Sequence, residues 1–219
     1  MKEVYFTQEN ITIKSAEMLD ELSIYAGHRT HPPITRSTAL MVLDLQNFFT
    51  RGDSHAFVPS ATAIMNNINE LIHLFDNNNL PVIYTYHTNS ADNAGLMDRW
   101  WRDMIASDSV NAGIDDRIII SDNSKIYEKH QYSAFSNPEL NEYLISKNID
   151  TLVITGVMTH LCCDTTARDA FMRGFRPIIP IDATATYSEK LHLSSMRCLA
   201  HGIAQITNTK RFIDQIYEE

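Results

Sequence analysis

Three cysteines occur in this 219-residue chain, and Cys162 stands where a thiol can do chemistry. It lies between an apolar run, residues 151–155, and a helical pattern that begins near 160–164 and continues through Thr165, Ala167 and Ala170. A thiol at a helix N-terminus meets the positive end of the helix dipole and unpaired amide hydrogens, and both favour the nucleophilic thiolate. The competing role is an inert buried cysteine, a common fate of free thiols. Cys163 is the rival nucleophile, but a helical turn swings its side chain about 100° away from that of Cys162, so one pocket should not hold both. Asp44 closes the run Leu-Met-Val-Leu-Asp. A carboxylate in such apolar surroundings needs a partner or a raised pKa, which suits a general base beside a thiol. A cap at a strand end is its competing role. Lys129 taken alone is a solvated surface charge. Flanked by Tyr127, Tyr132 and Phe135, it is also suited to hold thiolate and carboxylate together.

The histidines carry weaker signals. His28 and His31 have the spacing of a ligand pair, but their flanks are irregular and they read as surface. His87 ends a strand and is placed to touch substrate. A mononuclear zinc site needs three or more clustered ligands, and none can be assembled. Trp100-Trp101 is a packing pair in a long loop beside the expected site. No Gly-rich phosphate loop or dinucleotide fingerprint is present, so no cofactor is expected.

These residues need elements to position them. Short apolar runs recur at 39–44, 81–86, 125–129, 151–155, 175–181 and 203–207, and those such as Leu-Met-Val-Leu and Leu-Val-Ile-Thr lack polar alternation, as expected for strands buried on both faces. Between them, residues 61–75 place Ile64, Ile68, Leu71, Ile72 and Phe75 on one face, and 138–147, 163–173 and 189–201 read similarly. Strand–helix alternation of this kind predicts an α/β fold, a mostly parallel sheet with helices on both sides. Ligands in such sheets collect at the carboxyl ends of the strands, where Asp44, Lys129 and the segment 156–163 all fall. Residues 1–37 precede the pattern. They hold one helix, about 14–25, ended by Pro32-Pro33, and read as a surface arm or dimer contact on a single domain, 38–219.

With 44% hydrophobic and 21% charged residues, the chain can bury one substantial core. No apolar run is long enough for a membrane span, and the first ten residues show no signal-peptide segment, so no membrane role and a cytoplasmic location are expected. Three cysteines, two of them adjacent, make no disulfide framework and fit a reducing compartment. The net charge is −9 with scattered basic residues, which disfavours nucleic acid.

Residues 153–174, Val-Ile-Thr-Gly-Val-Met-Thr-His-Leu-Cys-Cys-Asp-Thr-Thr-Ala-Arg-Asp-Ala-Phe-Met-Arg-Gly, resemble the nucleophile region of the isochorismatase-like cysteine hydrolases. In that family a G-V-x-x-x-x-C stretch leads into a T-A-x-D-A helix. Leu43-Asp44-Leu45-Gln46 with Phe49 resembles the family's D-x-Q motif, and Lys129 with Tyr132-Ser133-Ala134-Phe135 resembles K-x-x-Y-S-A-F. The three agree in order across residues 38–212. The resemblance implies a Rossmann-like three-layer fold on a six-stranded sheet, assembled as a homodimer or larger homo-oligomer. It implies catalytic roles for Asp44, Lys129 and Cys162, and a cis peptide between Val157 and Met158 that aims the amides of Met158 and Cys162 at an oxyanion.

The likeness is greatest to the isochorismatase branch, which shares 165–173 almost letter for letter, yet the chain departs from it. That branch carries Gly in place of Cys162 and cleaves a vinyl ether by protonation from its Asp. Its substrate-contacting Gln is His87 here, its Tyr after Gly-Val is Met158, and its loop Arg has no counterpart near Leu96. Losing such an Arg forfeits a charge-assisted grip on a carboxylate. The D-x-H metal motif of nicotinamidases corresponds to Thr85-Tyr86-His87, without the carboxylate, so no catalytic metal is expected. The resulting expectation is acyl transfer to water from a small-molecule amide, carbamoyl compound or ester, with Phe49, His87, Trp101, Tyr132 and Phe135 contacting substrate. Two alternatives stay open, vinyl-ether hydrolysis by Asp44 and a catalytically silent binding protein on the same fold. A redox role for the adjacent cysteines ranks behind them, since such a pair bridges only with strain.

Overall fold

Strands that carry no polar alternation must be covered on both faces, and the two central ones are: every residue of Thr38–Leu43 and Thr151–Val157 is buried. The computed structural model describes residues 2–26, 35–122 and 124–217. Its elements run α1 (Ile11–Ala26), β1 (Thr38–Leu43), α2 (Asn47–Thr50), α3 (Ala61–Asn77), β2 (Val82–His87), α4 (Met97–Trp100), β3 (Lys125–Lys129) and α5 (Pro138–Ser146). There follow β4 (Thr151–Val157), α6 (Asp164–Met172), β5 (Arg176–Pro180), β6 (Thr184–Ala185), α7 (Glu189–Gly202), β7 (Gln205–Thr207) and α8 (Thr209–Tyr217). Among the described residues the named strands pair in parallel, in the order β3-β2-β1-β4-β5-β7, with β6 beside β4.

The sheet therefore has seven strands where six were expected. The extra one is the two-residue β6. β5 pairs only the first half of β4, and after a short 3-10 turn, Ile181–Ala183, the chain returns to pair Gly156 and Val157. Two residues are too few to leave a periodic signature. All six apolar runs became strands, and the predicted helices formed within a few residues of their expected bounds.

Local chemistry sets the helix ends. Asn137 accepts from the amide of Glu139 with Pro138 behind it, which opens α5. Ser188 does the same for α7 through Leu191. Ser60 stands at the N-cap of α3 but spends its hydroxyl elsewhere, accepting from the amides of Tyr5 and Phe6 at 3.0 and 3.1 Å. Those two rings are buried, as are Ile11, Met18, Leu19 and Leu22 of α1. One face of the segment 2–26 thus packs against the core, with α1 on α7. Among the described residues no helix is long and apolar enough to cross a membrane.

The chain runs outward from β1 to β2 and β3, then returns to β4 on the other side of β1. That reversal opens the crevice at the carboxyl ends of β1 and β4. Gly156 lets the two ends approach: it has φ +106°, and an added Cβ would sit 2.0 Å from the carbonyl oxygen of Leu43. Gly174, at φ +88° after α6, has nothing within 4 Å of that position. Gly156→Ala should therefore cost more than about 3 kcal/mol of stability, and Gly174→Ala only about 1 kcal/mol. Denaturant unfolding of the two variants checks this, and equal losses would contradict it.

Candidate active site

Asp44 is the first residue past β1 and takes a left-handed backbone, φ +53°. Aspartate is among the few residues that tolerate this conformation. It turns the carboxylate under the sheet's rim, fully out of contact with water. Thr85, on β2, donates its hydroxyl to Oδ1 at 2.7 Å. Oδ2 faces the ammonium of Lys129 at 2.9 Å. Lys129 comes from the end of β3, two strands away, and crosses the end of β2 to arrive, passing Nδ1 of His87 at 3.3 Å. The carbonyl of Gln131 accepts from the same Nζ at 2.9 Å. The sulfur of Cys162 is 3.4 Å from it.

Cys162 sits in a π-helical turn, Thr159–Cys163, that links β4 to α6 directly after a cis peptide between Val157 and Met158. Cys163 points elsewhere, toward the carbonyl of Thr155 at 4.0 Å. The three residues named from separate motifs are thus in mutual contact.

The charge states follow from burial. Desolvation works against the ammonium of Lys129, but the Asp44 carboxylate and the sulfur outweigh it, and its pKa is raised. Burial pushes the Cys162 thiol up to about 12, against the pull of Lys129 and with the push of Asp44. The expectation that a helix terminus would favour the thiolate is overturned here. One buried cation balances one anion, and a second anion has no counterion. Burial and the neighbouring Asp44 carboxylate thus favour the protonated thiol.

His87 ends β2. Its main chain is clasped by Gln46, whose Oε1 accepts from the His87 amide at 2.7 Å and whose Nε2 donates to the His87 carbonyl at 3.0 Å and to that of Ala112 at 2.9 Å. Burial and then the nearby Lys129 charge lower the imidazole pKa to about 4. Neutral and facing an ammonium, Nδ1 accepts and Nε2 carries the proton, donated to Oδ1 of Asn89 at 2.5 Å. A metal on this ring does not fit, because both nitrogens are engaged and Thr85 offers a hydroxyl already given to Asp44. Among the described residues no three His, Cys, Asp or Glu side chains cluster as a metal would require. His28 and His31 lie outside the described residues.

A cavity of about 310 Å³ opens over the sulfur. Phe49, His87, Trp101 and Tyr132 line it, as does Met158. Trp101 donates its indole N–H to the Tyr132 hydroxyl at 2.8 Å, which fixes the pair as one wall. Trp100 is exposed. Phe135 does not reach the cavity: it is buried, stacked on Phe175 at 5.7 Å under the guanidinium of Arg173, and serves packing instead. The sequence could not separate it from Tyr132, three residues away, because the turn between them decides which side chain faces inward. Asp44 and Lys129 are not in the wall, so of the three contacting residues only Cys162 meets the cavity.

Several lining or supporting residues had no signal of their own. Gln46 carries a signal only as part of the D-x-Q resemblance, and nothing in the sequence marks Asn89. Lys2, Leu161, Met97 and Met104 also line the cavity.

The isochorismatase domain family matches residues 38–211 of the chain. Nicotinamidase 3 of Arabidopsis thaliana is 34% identical over 184 residues, which is 82% of this chain and 89% of that protein. N-carbamoylsarcosine amidase of Arthrobacter sp is 31% identical over 195 residues, 82% of this chain and 74% of that protein. Among solved structures, a cysteine hydrolase from Pseudomonas syringae pv. phaseolicola 1448A superposes with a TM-score of 0.77 at 23% identity, covering 86% of this chain and 96% of its own, a likeness of fold.

Two outcomes test this geometry. Lys129→Met strands a buried carboxylate and should cost roughly 3–5 kcal/mol in denaturant unfolding, part of which Asp44→Asn in the same chain restores. A single variant as stable as the parent would contradict the buried pair. The second outcome is acid sensitivity. His192, fully buried, has its pKa lowered by burial to about 3, and His87 stands at about 4. Unfolded histidines bind protons as the pH falls through about 6.5, and these two do not. Stability should therefore fall between pH 6.5 and 5, above the carboxylate range, with a slope approaching about 1.4 kcal/mol per pH unit for each. Denaturant midpoints measured across that interval check it, and a flat profile would count against both.

Proposed function

Because this chain belongs to the isochorismatase domain family, and two of the proteins it resembles are amidases, we propose that it hydrolyses a small-molecule amide or carbamoyl compound through a thioester on Cys162. The observation that carries the reading is the ammonium of Lys129, 2.9 Å from the Asp44 carboxylate and 3.4 Å from a sulfur that alone faces the cavity.

The resting charges define the first step. Sγ attacks the substrate carbonyl carbon as its proton passes to Asp44, so the negative charge moves from carboxylate through sulfur to the carbonyl oxygen. Lys129 stays charged throughout and holds the two acidic groups together. The oxyanion is taken by the backbone amides of Met158 and Cys162, a kind of contact worth about 2.7–4 kcal/mol per donor in other hydrolases. Asp44 then protonates the leaving nitrogen as the C–N bond breaks, which leaves a thioester. Water adds to the thioester while giving a proton to Asp44, the acid departs, and that proton returns to sulfur. A neutral His87 orients substrate or water by hydrogen bonding and takes no proton near neutral pH.

Vinyl-ether cleavage by Asp44 alone would need no sulfur. Cys162→Ala separates the two readings: amide hydrolysis should drop by at least about a thousandfold, whereas acid-only cleavage should keep most of its rate. Ammonia release from a panel of small amides and carbamoyl compounds supplies the rate. Mass spectrometry of acid-quenched reactions should place the acyl group on the peptide holding Cys162. An adduct on Cys163 alone, or an active enzyme without adduct whose rate survives Cys162→Ala, would defeat the proposal.

A further inference from the structure

The walls of the cavity are mostly apolar and aromatic, so the few charges on them weigh heavily in choosing a ligand. Among the described residues that line it, Asp103 is the one carboxylate, and it faces Nδ1 of His55 at 3.1 Å. Two cations line it as well, Lys2 and Arg102, and among the described residues neither is paired with a carboxylate. Lys2 belongs to the N-terminal segment, outside residues 38–211 of the family match.

That segment is fastened at every step. The amide of Glu3 donates to the carbonyl of Tyr187 at 2.9 Å, and Oε1 of Glu3 accepts from the amide of Glu189 at 2.7 Å. Tyr5 and Phe6 are buried behind it, and the hydroxyl of Tyr5 accepts from the amide of Thr186 at 3.0 Å. The ammonium of Lys2 is held between two neutral groups, the carbonyl of His55, to which it donates, and the ring of Tyr187, 4.4 Å from its centroid. A fixed, exposed cation without an acidic partner has capacity left for an anion.

We propose that Lys2, assisted by Arg102, forms an anion subsite on the cavity rim, and that this enzyme selects small amides bearing a carboxylate at the end away from the scissile carbonyl. The choice of substrate rests on the hydrolase reading above; the subsite itself does not. The chain as a whole carries a net charge of −9, which repels anions at long range, so any preference for one must come from such local cations.

The test uses two probes of one shape, terephthalamate and terephthalamide, titrated by calorimetry into the Cys162→Ala protein, where no turnover intervenes. Terephthalamate should bind about fivefold to tenfold more tightly, the size of one charge-assisted hydrogen bond at a partly wet site. The gap should close to about unity with Lys2→Met added, reverse with Lys2→Glu, survive with Lys2→Arg, and shrink in high salt. Equal affinities in the starting protein, binding of neither probe, or a gap that Lys2→Met leaves intact would overturn the subsite. Preferential binding of the anion with no amide hydrolysed by the wild type would remove the hydrolase reading and leave the subsite standing. Hydrolysis of neutral and anionic amides alike would leave the hydrolase reading standing and overturn the substrate preference.

Discussion

An ammonium group withdrawn from water survives in a protein only when its charge and its hydrogens are answered locally, and the fold around Lys129 is arranged to answer them. Asp44 supplies the countercharge at 2.9 Å, the carbonyl of Gln131 accepts at 2.9 Å, and the Nδ1 lone pair of His87 lies 3.3 Å away. Desolvating two ions costs several kcal/mol each, and their attraction repays that only when the geometry is good and the remaining valences are filled. Three strands meet this condition from different places. β1 turns Asp44 inward through a left-handed backbone, β2 contributes Thr85 and His87, and β3 sends a long side chain across the rim.

The same pair decides where the reactive proton rests. A helix terminus favours a thiolate, yet the thiol of Cys162 is pushed up to about 12. Burial is the larger effect, and the single positive charge nearby is already matched by Asp44. The sulfur is thus held as a protonated thiol, with the Asp44 carboxylate beside it. Asp44 and Lys129 sit behind the sulfur rather than in the cavity wall.

The buried Asp–Lys–Cys contact and the cavity over it come from different layers of the molecule. The contacting Asp, Lys and Cys are set by strand ends and a π turn inside the matched domain. The cavity above them is made by loops after β1, β2 and β3, by Tyr187 after β6, and by Lys2 of the N-terminal segment. That segment is tied in by Ser60, whose hydroxyl serves Tyr5 and Phe6 instead of its own helix. A residue outside the domain thereby reaches the space over Cys162.

Composition and apolar spacing by themselves determined the α/β class, the six principal strands and most helices, because short apolar runs and helices buried on one face leave direct periodic traces. The residue types at three strand ends, with the motifs they resemble, also marked Asp44, Lys129 and Cys162. Tertiary structure alone decided the rest. The two-residue β6 is too short to have a period, and its place depends on where β5 leaves β4. Phe135 turned from the cavity to Phe175 while Tyr132 kept its place, a choice made by the intervening turn. The state of the thiol depended on how deeply it is buried and on a charge balance among groups spread over more than a hundred residues of chain. Lys2 entered the cavity through a fold-back that no local pattern encodes. Sequence records what each residue can do with its neighbours in the chain; burial and charge pairing belong to neighbours in space, and only the folded chain brings those together.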